Sequence, residues 1–198
     1  MADATVTKKP KVVYGLKNIH YAILTKAEDG TVSYGTPKRF PGAVNLGLSA
    51  DGEITEFYAD DIVYDAVEQN NGYTGDFESA LVPDEFLVEI FGYEKGADGI
   101  IYEVAGVKAN HIALLGEFAT DAVAKRICLY DVLCGRPDIS RKTKEKTSTP
   151  QTQKMSITAR PIEINGKNYV KCSTTPETSA DAYNNFFKSV KMPGTTTA

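Results

Sequence analysis

Side chains able to do chemistry are plentiful in this chain, but few are spaced to do it together. Asp60-Asp61 follows an aromatic stretch and invites a reading as paired carboxylates for acid-base work. Neighbouring residues on a strand point to opposite faces, so the two could share a site only in a turn, and no base or nucleophile stands nearby. Ser33, Ser49 or Ser79 beside His20 or His111 would make a nucleophile pair, yet no GxSxG elbow accompanies them and they read as strand residues. The Asp-Gly dipeptides lack the dense oxygen-ligand spacing of a calcium loop and suit hairpin turns better. Cys128, Cys134 and Cys172 are odd in number, outside CxxC pairs, and expected as buried free thiols. His20 and His111 stand alone, so no zinc site is expected. No catalytic, metal or cofactor-binding residue emerges, and the chain is not expected to be an enzyme.

One cluster is left open. Arg136, Arg141, Lys142, Lys144 and Lys146 sit in GRPDISRKTKEKTSTPQTQ, which mixes basic residues with Thr, Ser and Pro. It reads as a solvated loop, as a nucleic-acid patch, or as an arm pairing with an acidic neighbour in an assembly. Interleaved aromatic residues that would stack on single-stranded bases are missing. The net charge of −4 also argues against affinity gained by neutralising many phosphates.

The elements that would position these residues are mostly strands. Val44, Leu46 and Leu48 alternate with Asn45, Gly47 and Ser49, the period of a half-buried strand. Ile19, Tyr21 and Ile23 repeat the pattern, as do Met155, Ile157 and Ala159, and more loosely Tyr73, Phe77 and Leu81. About eight strands are expected. Asp29-Gly30, Asp51-Gly52, Asn71-Gly72, Asp98-Gly99 and Asn165-Gly166 are read as the hairpin turns between them. Residues 112–118 and 126–134 are apolar on both faces and should lie centrally.

Two short helices interrupt the pattern. The first begins at Pro83, carries Asp84 and Glu85 in its first turn, ends at Gly92, and should cap a sheet through Phe86, Leu87 and Ile90. The second follows Thr178 or Ser179 and sets Tyr183, Phe186, Phe187 and Val190 at i, i+3, i+4, i+7. Residues 1–13 and 135–153 lack apolar periodicity and are expected to be mobile, as are 193–198. The 198 residues fit a single β domain over 14–192 with extended arms.

Hydrophobic residues at 42% and charged residues at 24% are ordinary for a globular protein. No apolar run approaches the ~20 residues of a membrane span, and MADATVTKKP lacks a signal peptide's apolar stretch, so the cytosol is the expected site of synthesis. Tyrosine numbers 11 and tryptophan none; Tyr14, Tyr21, Tyr34, Tyr58, Tyr64 and Tyr73 crowd the first half and suit core or interface equally.

Five segments in order carry a resemblance. They are Tyr14–Ala22 (YGLKNIHYA), Gly35-Thr36-Pro37 with Pro41-Gly42-Ala43-Val44, Phe57-Tyr58-Ala59-Asp60, Asn71-Gly72-Tyr73-Thr74-Gly75-Asp76, and Leu81-Val82-Pro83-Asp84-Glu85-Phe86. Together this stretch resembles the major tail protein family of siphophages that infect Gram-positive bacteria. The resemblance implies an antiparallel β-sandwich or half-open barrel with a flanking helix. It also implies self-association into stacked hexameric rings forming a tail tube, assembled in the host cytoplasm and residing in the virion. The implied partners are the chain itself, the tape measure protein, the tail terminator, the distal tail protein, and viral DNA sliding through the lumen without specific binding; no membrane and no cofactor is implied. On this view residues 1–13 and 135–153 are assembly arms and acidic side chains line the lumen. The alternative from another class is a receptor- or carbohydrate-binding β-sandwich of a phage.

Overall fold

The computed structural model describes residues 10–143 and 150–194. In chain order its elements are β1 (Val13–Lys26), β2 (Val32–Tyr34), β3 (Lys38–Arg39), β4 (Ala43–Asp51), β5 (Ile54–Ala59), β6 (Ile62–Glu68) and β7 (Gly72–Ser79). Then come α1 (Asp84–Phe91), β8 (Glu94–Lys95), β9 (Ile101–Tyr102), β10 (Ile112–Thr120), β11 (Lys125–Cys134), β12 (Gln153–Arg160), β13 (Ile162–Ile164), β14 (Lys167–Tyr169), β15 (Lys171–Ser173) and α2 (Ala180–Asn184). Eight strands have six residues or more; the rest are two- or three-residue pieces.

The protein is mainly β, antiparallel and sandwich-like. The main sheet runs β2-β1-β10-β11-β12-β7-β4, with β3 added to β1 and β15 to β11. Every pairing among the described residues is antiparallel, both for the hairpin β10–β11 and for strands far apart in the chain, β1 with β10 and β7 with β12. The central pair β10 and β11 is buried on both faces, as their two-sided apolar sequences require. On one face Ile19, Tyr21, Leu129, Val132, Met155 and Ile157 pack with Phe40, Phe77 and the helical Phe86 and Ile90. On the other, Ala22, Leu24, Leu115, Cys128 and Tyr130 are covered by Ile162, Ile164, Phe186 and Val190.

Helix α1 has the expected ends. Pro83 precedes it, Asp84 and Glu85 occupy its first turn, and Gly92 closes it in the left-handed conformation with φ 67°. Phe86 sits at the centre of an aromatic cluster, with ring centroids 4.8 Å from Tyr21, 5.0 Å from Phe40 and 5.9 Å from Phe91.

Four local expectations need correction. Val44 is exposed, because a register irregularity between Ala43 and Asn45 turns it outward and leaves Ala43, Leu46 and Leu48 facing the core. Leu81 lies beyond the end of β7 and is exposed, its core role taken by Val82. Asp51-Gly52 and Asn71-Gly72 are not hairpin turns: Asp51 and Gly72 face each other across one long ribbon. Their glycines answer to close backbone approach, since a Cβ on Gly52 would lie 2.1 Å from the Gln69 carbonyl oxygen and one on Gly72 2.0 Å from that of Ala159.

The fourth concerns α2. Ser179 caps it, its Oγ accepting from the Ala182 N–H at 3.3 Å, but the helix stops at Asn184. The Tyr183 carbonyl accepts from the Phe186 N–H and from Arg126 Nη1, so the chain tightens into turns instead of continuing. Phe186 and Val190 still reach the sheet of their own chain.

Candidate assembly surface

Residues 43–79 form one extended hairpin. Its proximal half, β4 with β7, belongs to the main sheet; its distal half, β5 with β6, is a separate two-stranded ribbon. Two facts of sequence make the ribbon. Asp60 and Asp61 have φ of 51° and 61°, the paired positive angles of a tight I′ turn, and Ala59 faces Ile62 across it. Both limbs are rich in β-branched and aromatic residues, Ile54, Thr55, Phe57 and Tyr58 on one and Ile62, Val63, Tyr64 and Val67 on the other. Six residues at about 3.3 Å each carry the tip roughly 20 Å beyond the sheet.

The ribbon carries the apolar content of a core strand without a core. Ile54, Phe57, Tyr58, Ile62, Val63, Tyr64 and Val67 are all between 47% and 70% exposed. Phe57 meets Tyr64 edge-on, centroids 6.5 Å apart and planes at 86°. Tyr58 donates to Glu56 Oε2 at 2.5 Å, which holds its phenol above the ordinary range. Among the described residues each strand has a ladder partner on one side only, so both outer edges offer unpaired N–H and C=O groups. A lone two-stranded hairpin is marginal in water, and such a surface normally meets a partner.

This surface was not singled out in the sequence, although Phe57-Tyr58 and Ile62-Val63-Tyr64 flank Asp60-Asp61 there. The missed signal is two apolar limbs closed by an acidic pair, with no third strand in sequence to cover them. Asp60 and Asp61, the carboxylate pair of the sequence, occupy that turn and are exposed at the ribbon tip.

The basic loop is placed in part. Arg136 pairs with Glu103 at 2.5 Å, lowering that carboxyl, beside a recess lined by Phe91, Tyr93 and Val107. Arg141 donates to the Ser140 carbonyl at 2.9 Å. The Lys142 backbone is clamped by the Gln151 amide, which accepts from its N–H at 2.7 Å and donates to its carbonyl at 2.9 Å. Arg136 and Arg141 therefore have separate partners, and Lys144 and Lys146 lie outside the described residues. Gly135 and Asp138 donate to the Ser156 and Lys154 carbonyls, both at 2.8 Å, extending the β11–β12 pairing into the segment read as loop. Of the N-terminal arm, residues 1–9 lie outside the described residues, and the Lys11 N–H donates to Asp121 Oδ1 at 2.7 Å.

The other candidates are dispersed. His20 stacks on Phe187 with centroids 4.6 Å apart, and His111 Nδ1 bonds Asp131. Ser33 faces Thr25, Ser49 faces Thr74, and Ser79 is fully buried at the end of β7, its hydroxyl without a hydrogen-bond partner. Among the described residues no group of three or more His, Cys, Asp or Glu is placed to hold a metal ion. No helix among them is long and apolar enough to cross a membrane. Cys128 and Cys134 are buried, whereas Cys172 is only partly so, correcting the expectation for the third thiol.

No family model matches the chain, and no curated protein matches it at a significant level.

Proposed function

We propose that this chain is a structural subunit that polymerises with copies of itself, and that the polymer is the tube of a long phage tail. The observation that carries the reading is the β5–β6 ribbon, a projecting hairpin with apolar residues exposed along both limbs and two free edges. A second copy is the occupant that suits it. A further exposed apolar run, Val12, Val13 and Tyr14, opens β1, and a head-to-tail contact needs two unlike surfaces on each subunit. The order of the five segments from Tyr14 to Phe86 supplies the tail-tube part of the reading, with stacked hexameric rings and DNA passing through an acidic lumen. The sandwich-like fold is compatible with it.

The carbohydrate-binding alternative gains little from the ribbon. A sugar ring stacks on coplanar aromatic faces, and Phe57 and Tyr64 stand at 86° to each other.

Negative-stain electron microscopy across a concentration series, with sedimentation in parallel, tests the proposal. Rings or hollow tubes of uniform width are expected above a threshold concentration. A chain that stays monomeric throughout and gives a saturable signal with a glycan would replace this reading with the receptor-binding one.

A further inference from the structure

Two of the three thiols face each other. In the antiparallel pairing of β11 with β15, Cys128 and Cys172 are Cα partners. The Tyr130 N–H donates to the Val170 carbonyl and the Thr174 N–H to that of Arg126, so 126/174 and 130/170 are hydrogen-bonded pairs. By alternation 128/172 is of the same kind, with a Cα separation of about 5.5 Å. That lies within the roughly 4.4–6.8 Å that a disulfide spans. Both side chains point to the same layer: Cys128 is in the core beneath Phe186 and Val190, and Cys172 packs at its margin. Cys134 is six residues from Cys128 on the same strand, yet it lies in the opposite core, because the β10–β11 register shifts between Ile112 and Leu114.

The environments of the pair differ in the way thiol-disulfide exchange uses. The neighbouring Cys128 lowers the Cys172 thiol against the opposing effect of burial, and the Tyr130 phenol adds to the lowering. The neighbouring Cys172, and then burial, raise Cys128. Cys172 is partly accessible and Cys128 is enclosed. The third thiol, Cys134, is pushed up to about 12 by burial and has no thiol opposite it in the register, where Ile157 stands.

We propose that Cys128 and Cys172 form a two-thiol redox site, which a small-molecule disulfide such as oxidised glutathione converts into an internal disulfide joining β15 to the central strand β11. The Cys172 thiolate attacks one sulfur of glutathione disulfide, forming a mixed disulfide and releasing one glutathione thiolate. Cys128 then loses its proton to solvent and attacks the Cys172 sulfur, expelling the second glutathione. Two protein thiols are oxidised and one glutathione disulfide is reduced to two thiols, so the exchange balances. The bond closes a loop of roughly 45 residues and fastens the strand that leads into the C-terminal cover. This site does not depend on the assembly reading.

The test uses the full chain equilibrated with glutathione redox buffers, quenched by acid and alkylation, and mapped by mass spectrometry without reduction. The expected product is a peptide pair linked through Cys128 and Cys172, with Cys134 alkylated, and a thermal midpoint raised by on the order of 5 °C or more. Cys128→Ser should instead accumulate glutathione on Cys172, and Cys172→Ser should stay free of both linkages. Wild-type protein that stops at the mixed disulfide, or whose two thiols remain alkylatable in fully oxidised buffer, would overturn the proposal.

Discussion

The Arg126 guanidinium carbon lies 3.8 Å from the centroid of the Tyr183 ring, and this contact joins the C-terminal segment to the central sheet. The same side chain donates through Nε to Glu117 Oε2 at 2.8 Å and through Nη1 to the Tyr183 carbonyl, and it lies 4.9 Å from the Phe187 ring centroid. One residue thereby compensates a buried carboxylate, ends a helix and holds two aromatic rings. Arg126→Met should cost roughly 2–4 kcal/mol, since it leaves Glu117 buried with only Lys17 at 3.1 Å. Urea denaturation at neutral pH measures it; a loss below about 0.5 kcal/mol would mean the C-terminal segment is held by other contacts.

Acid should erase part of that difference. Burial alone would raise the Glu117 carboxyl, but hydrogen bonds from Arg126 and Lys17 outweigh it and hold the group below its ordinary value. A depressed carboxylate contributes stability that is present above the unfolded value, about 4.3, and lost as pH falls through the folded one. The gap between wild type and Arg126→Met should therefore be full at pH 7 and shrink below pH ~4. A gap that stays constant down to pH 3 would assign the effect to ring packing instead.

On the ribbon, the double variant Phe57→Ser, Tyr64→Ser should leave monomer stability within about 0.5 kcal/mol, because both rings are exposed. Self-association should fall sharply. Sedimentation velocity against concentration reads it, and unaltered polymers would place the contact elsewhere.

Phe86→Ala should cost about 3–5 kcal/mol, as the ring is 2% exposed and its removal leaves Tyr21, Phe40 and Phe91 around a void. Thermal unfolding measures the loss. A cost under about 1 kcal/mol would mean that α1 collapses into the gap.

How far the sequence carried depended on whether one face of an element decided its fate. Met155, Ile157 and Ala159 alternate perfectly in and out, and their strand could be read by period alone. The two-sided apolar runs of β10 and β11 likewise placed themselves at the centre. Val44 could not be read, because a single irregular residue reverses the facing of a strand without any mark in composition. Asn71-Gly72 and Asn165-Gly166 are the same dipeptide with different jobs: the second turns a hairpin with φ of 53° and 74°, while the first lets two backbones touch. Distinguishing them needs the partner strand. The ribbon was missed for a related reason: hydrophobic patterning says that a face wants covering, and no other part of the described chain covers this one.

The place where the ribbon leaves the sheet has a last implication. Asp51 and Gly72 stand opposite each other, with the Asn71 N–H donating to the Asp51 carbonyl at 2.8 Å. Everything beyond that rung could be excised and the ends rejoined through a two-residue turn, or lengthened in steps of two residues, with the core untouched. The ribbon's reach is thus a dimension that can drift or be engineered on its own, like the handle of a tool whose head is already forged.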